Sequence, residues 1–295
     1  MFDQISILAP GLLGTSLGLA VKKAQLARKV IVWGRRPEVR LRCAKESWCD
    51  GVCESPEEAA RSADLVLICS PVQSIAPLLR QIVPALGAGA IVSDVGSTKS
   101  LVTRQCHAAM AGGSFFVGSH PMAGSEKSGM AHARPDLFRG KVCFVTPLPD
   151  TDSAAVESVL RFWIALEMEP VTLSPEAHDE IVANISHLPH LLASVLCQHL
   201  SRQNPDWAAY AGPGLKDTVR IASGSPGLWK EIIAQNREEI LRALSAFENE
   251  LQSFKSQLAN QNYLQILHAL EKGKSYCDQL RPPLSTQEPL PGTLS

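Results

Sequence analysis

A chain of 295 residues with 19% charged side chains and a formal net charge of -1 has no surplus of either sign with which to hold nucleic acid or an anionic membrane surface. Hydrophobic residues make up 45%, an ordinary globular share, and the length suits two domains or one large one. The eight cysteines are scattered without a CxxC pair. They read as reduced thiols of a cytoplasmic protein rather than a disulfide frame or a metal site.

The N-terminus carries no basic signal-peptide start, and Pro10, Gly11 and Gly14 cut its first apolar stretch, so neither a secretory leader nor a span is expected there. Short apolar runs then alternate with helical stretches. Ile5–Leu8, Val30–Trp33, Asp64–Cys69, Ala90–Ser93, Phe115–Val117 and Val142–Val145 are the strand candidates. Continuous β-rich runs of this kind predict a parallel sheet covered on both faces. Ala154–Glu167 reads as a helix and Val171–Leu173 as a last strand.

Past Pro175 the pattern is helical only, over 176–203, 226–259 and 261–280. The expected plan is an α/β Rossmann-type dinucleotide-binding domain at 1–175, then an all-α domain at 176–281. The Pro-, Ser- and Thr-rich residues 282–295 read as a disordered tail.

The first strand-to-helix turn reads Ala9-Pro10-Gly11-Leu12-Leu13-Gly14. Gly11 and Gly14 match the second and third glycines of the dinucleotide fingerprint. Gly11 allows close approach of a pyrophosphate, and Gly14 allows close packing of helix on strand. Ala9 departs from the pattern, because alanine resists the positive φ that glycine accepts. The second strand ends in Trp33-Gly34-Arg35-Arg36, where an NAD enzyme would place an acid for the ribose hydroxyls. Two arginines there suit a 2′-phosphate and point to NADP, with NAD still possible. The plainer alternatives are a solvated turn or stacking on adenine.

Two further strand ends carry polar loops, Ser93–Lys99 and Gly118–Gly129. His120, directly after an apolar strand, is a natural general base near neutrality, though a strand-end histidine alone is more often structural. In the helical half, Ile185-Ser186-His187-Leu188-Pro189-His190 puts two histidines three apart on one face, with Pro189 bending the chain. Substrate or cofactor contacts and core packing are both open to them. No third ligand is suitably spaced, so no metal is expected. Arg220, in Leu215–Ala222, could clamp a carboxylate or simply lie exposed on a helix.

Together, GLLGTSLG, DLVLICSPV, SDVGSTK, GSHPMAGSEKSG, ISHLPH and LKDTVRIA resemble the prephenate/arogenate dehydrogenase family, from residue 11 to about 222. The resemblance implies a cytoplasmic homodimer built by the helical domain, with the active site between the two domains. It implies that His120 hydrogen-bonds the substrate ring hydroxyl and assists its deprotonation, and that Ser97 orients that histidine and touches cofactor and hydroxyl. Arg220 and His190 would face the substrate, with Ser125 and Glu126 at its border and His187, Lys216 and Asp217 in supporting roles. Gly11, Leu12, Leu13, Gly14, Arg35, Arg36 and Ser70 would meet the dinucleotide.

The implied reaction is oxidative decarboxylation of prephenate to 4-hydroxyphenylpyruvate in tyrosine biosynthesis, with arogenate as the alternative substrate. Glu126 or Asp217 could attract arogenate's ammonium. No room is left for an added ACT or chorismate mutase domain. Rival readings are another β-hydroxyacid dehydrogenase of the same plan, which would use a lysine on a second-domain helix as its acid–base group and against which His120 speaks, or a non-catalytic NADPH-binding protein.

Overall fold

The computed structural model describes residues 1–123 and 129–280. Strands and helices follow in the order β1 (Phe2–Leu8), α1 (Leu12–Lys23), β2 (Ala27–Trp33), α2 (Pro37–Cys43), β3 (Gly51–Val52), α3 (Pro56–Ala60), β4 (Leu65–Ile68), α4 (Val72–Ile82), β5 (Ile91–Asp94), α5 (Ser100–Ala109), β6 (Phe115–Pro121), β7 (Val142–Thr146), α6 (Ser153–Ala165) and β8 (Glu169–Thr172). Helices then take over: α7 (Pro175–Val182), α8 (Leu188–Leu200), α9 (Pro213–Val219), α10 (Pro226–Gln235), α11 (Arg237–Ala259) and α12 (Tyr263–Leu280).

The strands form one sheet in the order β3-β2-β1-β4-β5-β6-β7-β8. Its apolar runs are continuous because both faces are covered. Leu65 and Leu67 of β4 enter one core with Ile5, Ile7, Leu17 and Trp163. Val66 and Ile68 point the other way, into a second core with Ile75, Leu79 and Val102. Each such side chain contributes about 1.5–3 kcal/mol of burial.

The sheet is mixed rather than parallel throughout. β7 runs antiparallel to β6, pairing His120 with Phe144 and Pro121 with Cys143, while β8 returns parallel to β7. A parallel neighbour needs a crossover, usually helical, and no α-helix lies between β6 and β7 among the described residues. β3, two residues long and paired to β2, was too short to carry a sequence pattern.

The expected helix 176–203 contains a π-helical turn, Ala183–His187. Pro189 has no N–H to give the Ile185 carbonyl four residues back, and the wider turn accommodates that loss. The expected helix 226–259 is broken at Asn236, whose side-chain amide donates to the Asp179 carbonyl at 2.8 Å. The run Pro175–Leu200 is long and apolar enough to cross a membrane. It also carries His178, Asp179, His187 and His190, all buried, and their contacts described below use it as a core element of the folded domain.

By internal contacts, residues 1–240 form one compact unit and the chain from Leu241 another. Both sites described next lie within the first. The second consists of most of α11 and α12, which expose Phe247, Leu251, Leu258, Leu264, Leu267 and Leu270.

Candidate active site

Strand order reverses between β1 and β4, and the crevice at such a switch point is where open α/β sheets bind ligands. Here it is a cavity of about 380 Å³, lined by Ala9, Pro10 and Gly11 after β1, by Trp33, Gly34, Arg35 and Arg36 after β2, and by Ser70 and Pro71 after β4. A side chain at Gly11 would meet nothing within 4 Å, so the space above the turn is open. At Gly14 a Cβ would press on Cys69 and Ile7 at 3.1 and 3.2 Å. One glycine therefore serves approach from outside and the other packing within, as their spacing predicts.

No side chain caps α1. The N–H groups of its first turn, at Leu12, Leu13 and Gly14, are left for an anion, while the side chains of Leu12 and Leu13 pack on the core. Ala9 adopts φ 64°: the chain forces the conformation usually given to glycine, fixed by bonds from Ala9 N–H to the Trp33 carbonyl and from Gly11 N–H to the Ala9 carbonyl, both 2.8 Å. Arg36 lies 3.6 Å from Glu38. Arg40 donates to the Gly34 carbonyl at 2.9 Å and pairs with Glu54, which secures the loop bearing both arginines.

A second cavity, of about 460 Å³, is lined by Ser97 and His120 from the sheet rim, Ser186, His187 and His190 around the π turn, and Arg220 and Trp229 farther on. The sequence segments singled out above are thus brought to one wall system. Lys216 and Asp217 are exposed on α9 and are not among its lining residues. Ser125 and Glu126 lie outside the described residues.

Beneath His120 is a network that sequence reasoning missed. His120 Nδ1 lies 2.8 Å from His178 Nε2, and His178 Nδ1 lies 2.8 Å from Asp179 Oδ1. Asp179 also accepts from the backbone N–H groups of Lys99 and Ser100 at 2.7 and 2.9 Å. The nitrogen of His120 that needs an orienting partner therefore meets His178, not Ser97, which lines the cavity beside it. Below them Lys99 and Asp94 form a fully buried ion pair. Asp94 accepts from Gly96 N–H at 2.8 Å and Ser119 N–H at 3.1 Å, which shapes the loop carrying Ser97.

Burial pushes His120 well below the usual histidine range, helped by the nearby His178, Lys99 and His187. Burial likewise lowers His178, against the bond from Asp179, and brings His187 down to about 4. Burial would raise the Asp179 carboxyl, but the bonds from His178 and from the backbone of Lys99 and Ser100 outweigh it and hold it low. The resting site thus has neutral imidazoles over a carboxylate, so a base is available at neutral pH.

His190 is stacked on Trp229, with ring centroids 3.5 Å apart and planes at 8°. Gly224 makes room for this stack: a Cβ there would lie 2.7 Å from Trp229 Nε1 and 3.3 Å from the His190 ring. Neither Trp229 nor Gly224 stood out in the sequence, since both belong to a wall assembled only by folding.

A dinucleotide turn and an acid–base cavity set along one carboxyl rim of a doubly wound sheet define a Rossmann-type dehydrogenase. The comparisons specify it further. The prephenate dehydrogenase nucleotide-binding domain matches residues 17–171, and the prephenate dehydrogenase dimerization domain matches 174–272. The chain is 30% identical over 284 residues to a prephenate dehydrogenase of Bacillus subtilis, covering 95% of this chain and 76% of the relative. It is 29% identical to a cyclohexadienyl dehydrogenase of Zymomonas mobilis, over 89% of this chain and 90% of that one. The crystal structure of prephenate dehydrogenase from A. aeolicus, in complex with hydroxyphenyl propionate and NAD+, superposes with a TM-score of 0.90 at 27% identity, covering 95% and 99% of the two chains. This chain belongs to the prephenate dehydrogenase family.

Proposed function

We propose that this chain oxidatively decarboxylates prephenate to 4-hydroxyphenylpyruvate, the reading the histidine cavity supports best. The observation that carries it is the joining of His120, His190 and Arg220 on one wall, next to the dinucleotide turn. Gly11, Leu12, Leu13 and Gly14 at the turn would hold a nicotinamide dinucleotide, which would supply the hydride acceptor for the substrate ring carbon. His120, one ring nitrogen engaged by His178, offers the other to the ring hydroxyl and accepts its proton. Arg220 holds a substrate carboxylate through charge-assisted bonds, and the His190–Trp229 stack supplies a flat wall for a six-membered ring. Carbon dioxide leaves as the ring becomes aromatic, the ring oxygen takes its proton back from His120, and aromaticity makes the reaction one-way. Ser97 lies against the same hydroxyl.

Prephenate is favoured over arogenate because the charged side chain lining this cavity among the described residues is a cation, Arg220, and no carboxylate is among them. Lys216 and Asp217 stand outside that wall. A domain boundary near residue 175 is supported by the end of β8 at Thr172 and by the family domains meeting between 171 and 174. The helical part forms a homodimer, for which the exposed leucines of α11 and α12 and the family's dimerization domain both speak. Eight free thiols agree with a cytoplasmic location.

The preferred cofactor is NADP. Arg35 and Arg36 line the adenosine end of the cavity. Arg36 is drawn to Glu38, and Arg35 has no acidic partner among the described residues. Steady-state rates at 340 nm with prephenate and arogenate, each with NAD and NADP, test both choices. A preference of about tenfold for NADP is expected, of the size one exposed cation–phosphate contact supplies, and Arg35→Asp reverses it. Higher kcat/KM with NAD in the wild type ends the NADP reading; no turnover of either substrate ends the functional one.

A further inference from the structure

We propose that His178, held by Asp179, sets the tautomer of His120 and so decides which of its ring nitrogens is the base. The inference rests on the reading of the cavity given above and names a positioning residue for it. Asp179 is anchored by two backbone N–H groups and can only accept, so the proton in its contact with His178 belongs to His178 Nδ1. A neutral imidazole has one N–H. His178 Nε2 is therefore a lone pair, and the 2.8 Å contact with His120 Nδ1 requires the proton to sit on His120 Nδ1. His120 Nε2 is then bare, which is the form a base needs.

The ring of His178 is not free to exchange its two nitrogens. Phe144 packs edge-on against it, with centroids 5.4 Å apart and planes at 85°. The opposite tautomer of His120 would force His178 Nε2 to carry the proton and turn a second lone pair toward the Asp179 carboxylate. The lost charge-assisted bond biases the equilibrium by roughly one to two orders of magnitude. When His120 gains a proton at Nε2, its Nδ1–H still points to His178, and the cation that forms faces Asp179 through that ring. The same carboxylate holds the N-terminus of α5 and thereby the loop carrying Ser97. One acid thus fixes both the base and the serine beside it.

Nitrogen-15 NMR of histidine-labelled protein, with the His120 signals assigned by their loss in His120→Asn, reads the tautomer directly and without substrate. The expected result is a protonated Nδ1 and a bare Nε2 in the wild type. His178→Leu removes the acceptor. It should mix the two tautomers and lower kcat by about 2- to 10-fold, as the share of His120 with a bare Nε2 falls, leaving KM for both substrates little changed. His178→Gln places an amide oxygen where Nε2 stood; it should restore the Nδ1–H form and most of kcat. A wild-type His120 protonated at Nε2 overturns the proposal, as does a folded Gln variant no better than the Leu variant. If the tautomer is as proposed but neither prephenate nor arogenate is turned over, the functional reading fails instead. Turnover with the opposite tautomer fails this proposal alone.

Discussion

The two cavities on the sheet rim are built by different means. The dinucleotide side is made of backbone: a glycine turn, an uncapped helix start and exposed arginines, with lining residues from three neighbouring strand ends. The substrate side is made of side chains contributed by segments as far apart as Ser97 and Trp229, with four buried histidines, a carboxylate and an ion pair. The first takes its specificity from shape and surface charge, and tolerates water. The second keeps its histidines buried, and they owe their shifted proton affinities to that burial. Changes on the substrate side should therefore cost far more than changes on the dinucleotide side.

The largest effect is expected at His120. His120→Asn removes the base and should lower kcat about 10²–10⁴-fold while cofactor binding, followed by fluorescence titration, stays as in the wild type. A variant retaining half the wild-type kcat would break the contrast between the two cavities at its centre.

Stability should carry the same mark. His187 is lowered from 6.5 to about 4 by burial, so the unfolded chain binds its proton first as pH falls. The folded state is fully favoured above pH 6.5 and loses ground as pH drops from there toward 4. That makes about 2–3 kcal/mol between pH of about 7.5 and about 4.5. Asparagine keeps an acceptor for the Asn236 amide, which lies 3.2 Å from His187 Nδ1. His187→Asn should flatten the pH dependence of urea unfolding by that amount; an unaltered slope would show that another group carries it.

Legibility in the sequence follows the same division. Gly11, Gly14, the strand ends and the arginines after β2 are local features, a few residues apart, and the glycine spacing has one meaning at a strand-to-helix turn. The sheet was legible because its strands are apolar on both faces; β3 was not, being too short, nor was the reversed direction of β7, which is set by its connection. His120, His187, His190 and Arg220 could be singled out by type, but only the family resemblance, not their spacing, joined them. His178 and Asp179 were passed over because their partners lie 58 and 80 residues away. A histidine followed by an acid at the start of a helix after the sheet was the one available signal. Buried networks are long-range by construction, and side-chain type alone does not disclose a partner.

Arg220 gives a smaller and more selective test. Losing a charge-assisted clamp is worth about 1.5–3 kcal/mol. Arg220→Ala should therefore raise KM for prephenate roughly 10- to 100-fold with kcat less affected, and leave KM for the dinucleotide unchanged. A parallel rise in both KM values would mean that the arginine supports the whole rim, and the separation of the two cavities would need redrawing.

The smallest effect belongs to Ala9, on the tolerant side. Its φ of 64° costs an L-residue about 1–2 kcal/mol relative to glycine, because Cβ crowds the following carbonyl. Glycine would relieve that cost but brings a more disordered unfolded chain, which takes back about 0.4–1 kcal/mol. The balance for Ala9→Gly is a gain of about 0.5–1 kcal/mol, or roughly 1–3 °C in Tm for a domain of this size. The turn's two hydrogen bonds are both made by backbone atoms, so dinucleotide affinity should stay within about twofold, well under the tenfold step that 1.4 kcal/mol represents. Calorimetry of the two proteins, each alone and with saturating dinucleotide, checks both halves. A lower Tm in the variant would show that the turn relies on alanine's stiffness more than it suffers from its side chain. A large loss of affinity would mean that the backbone-built cavity is as sensitive as the side-chain-built one.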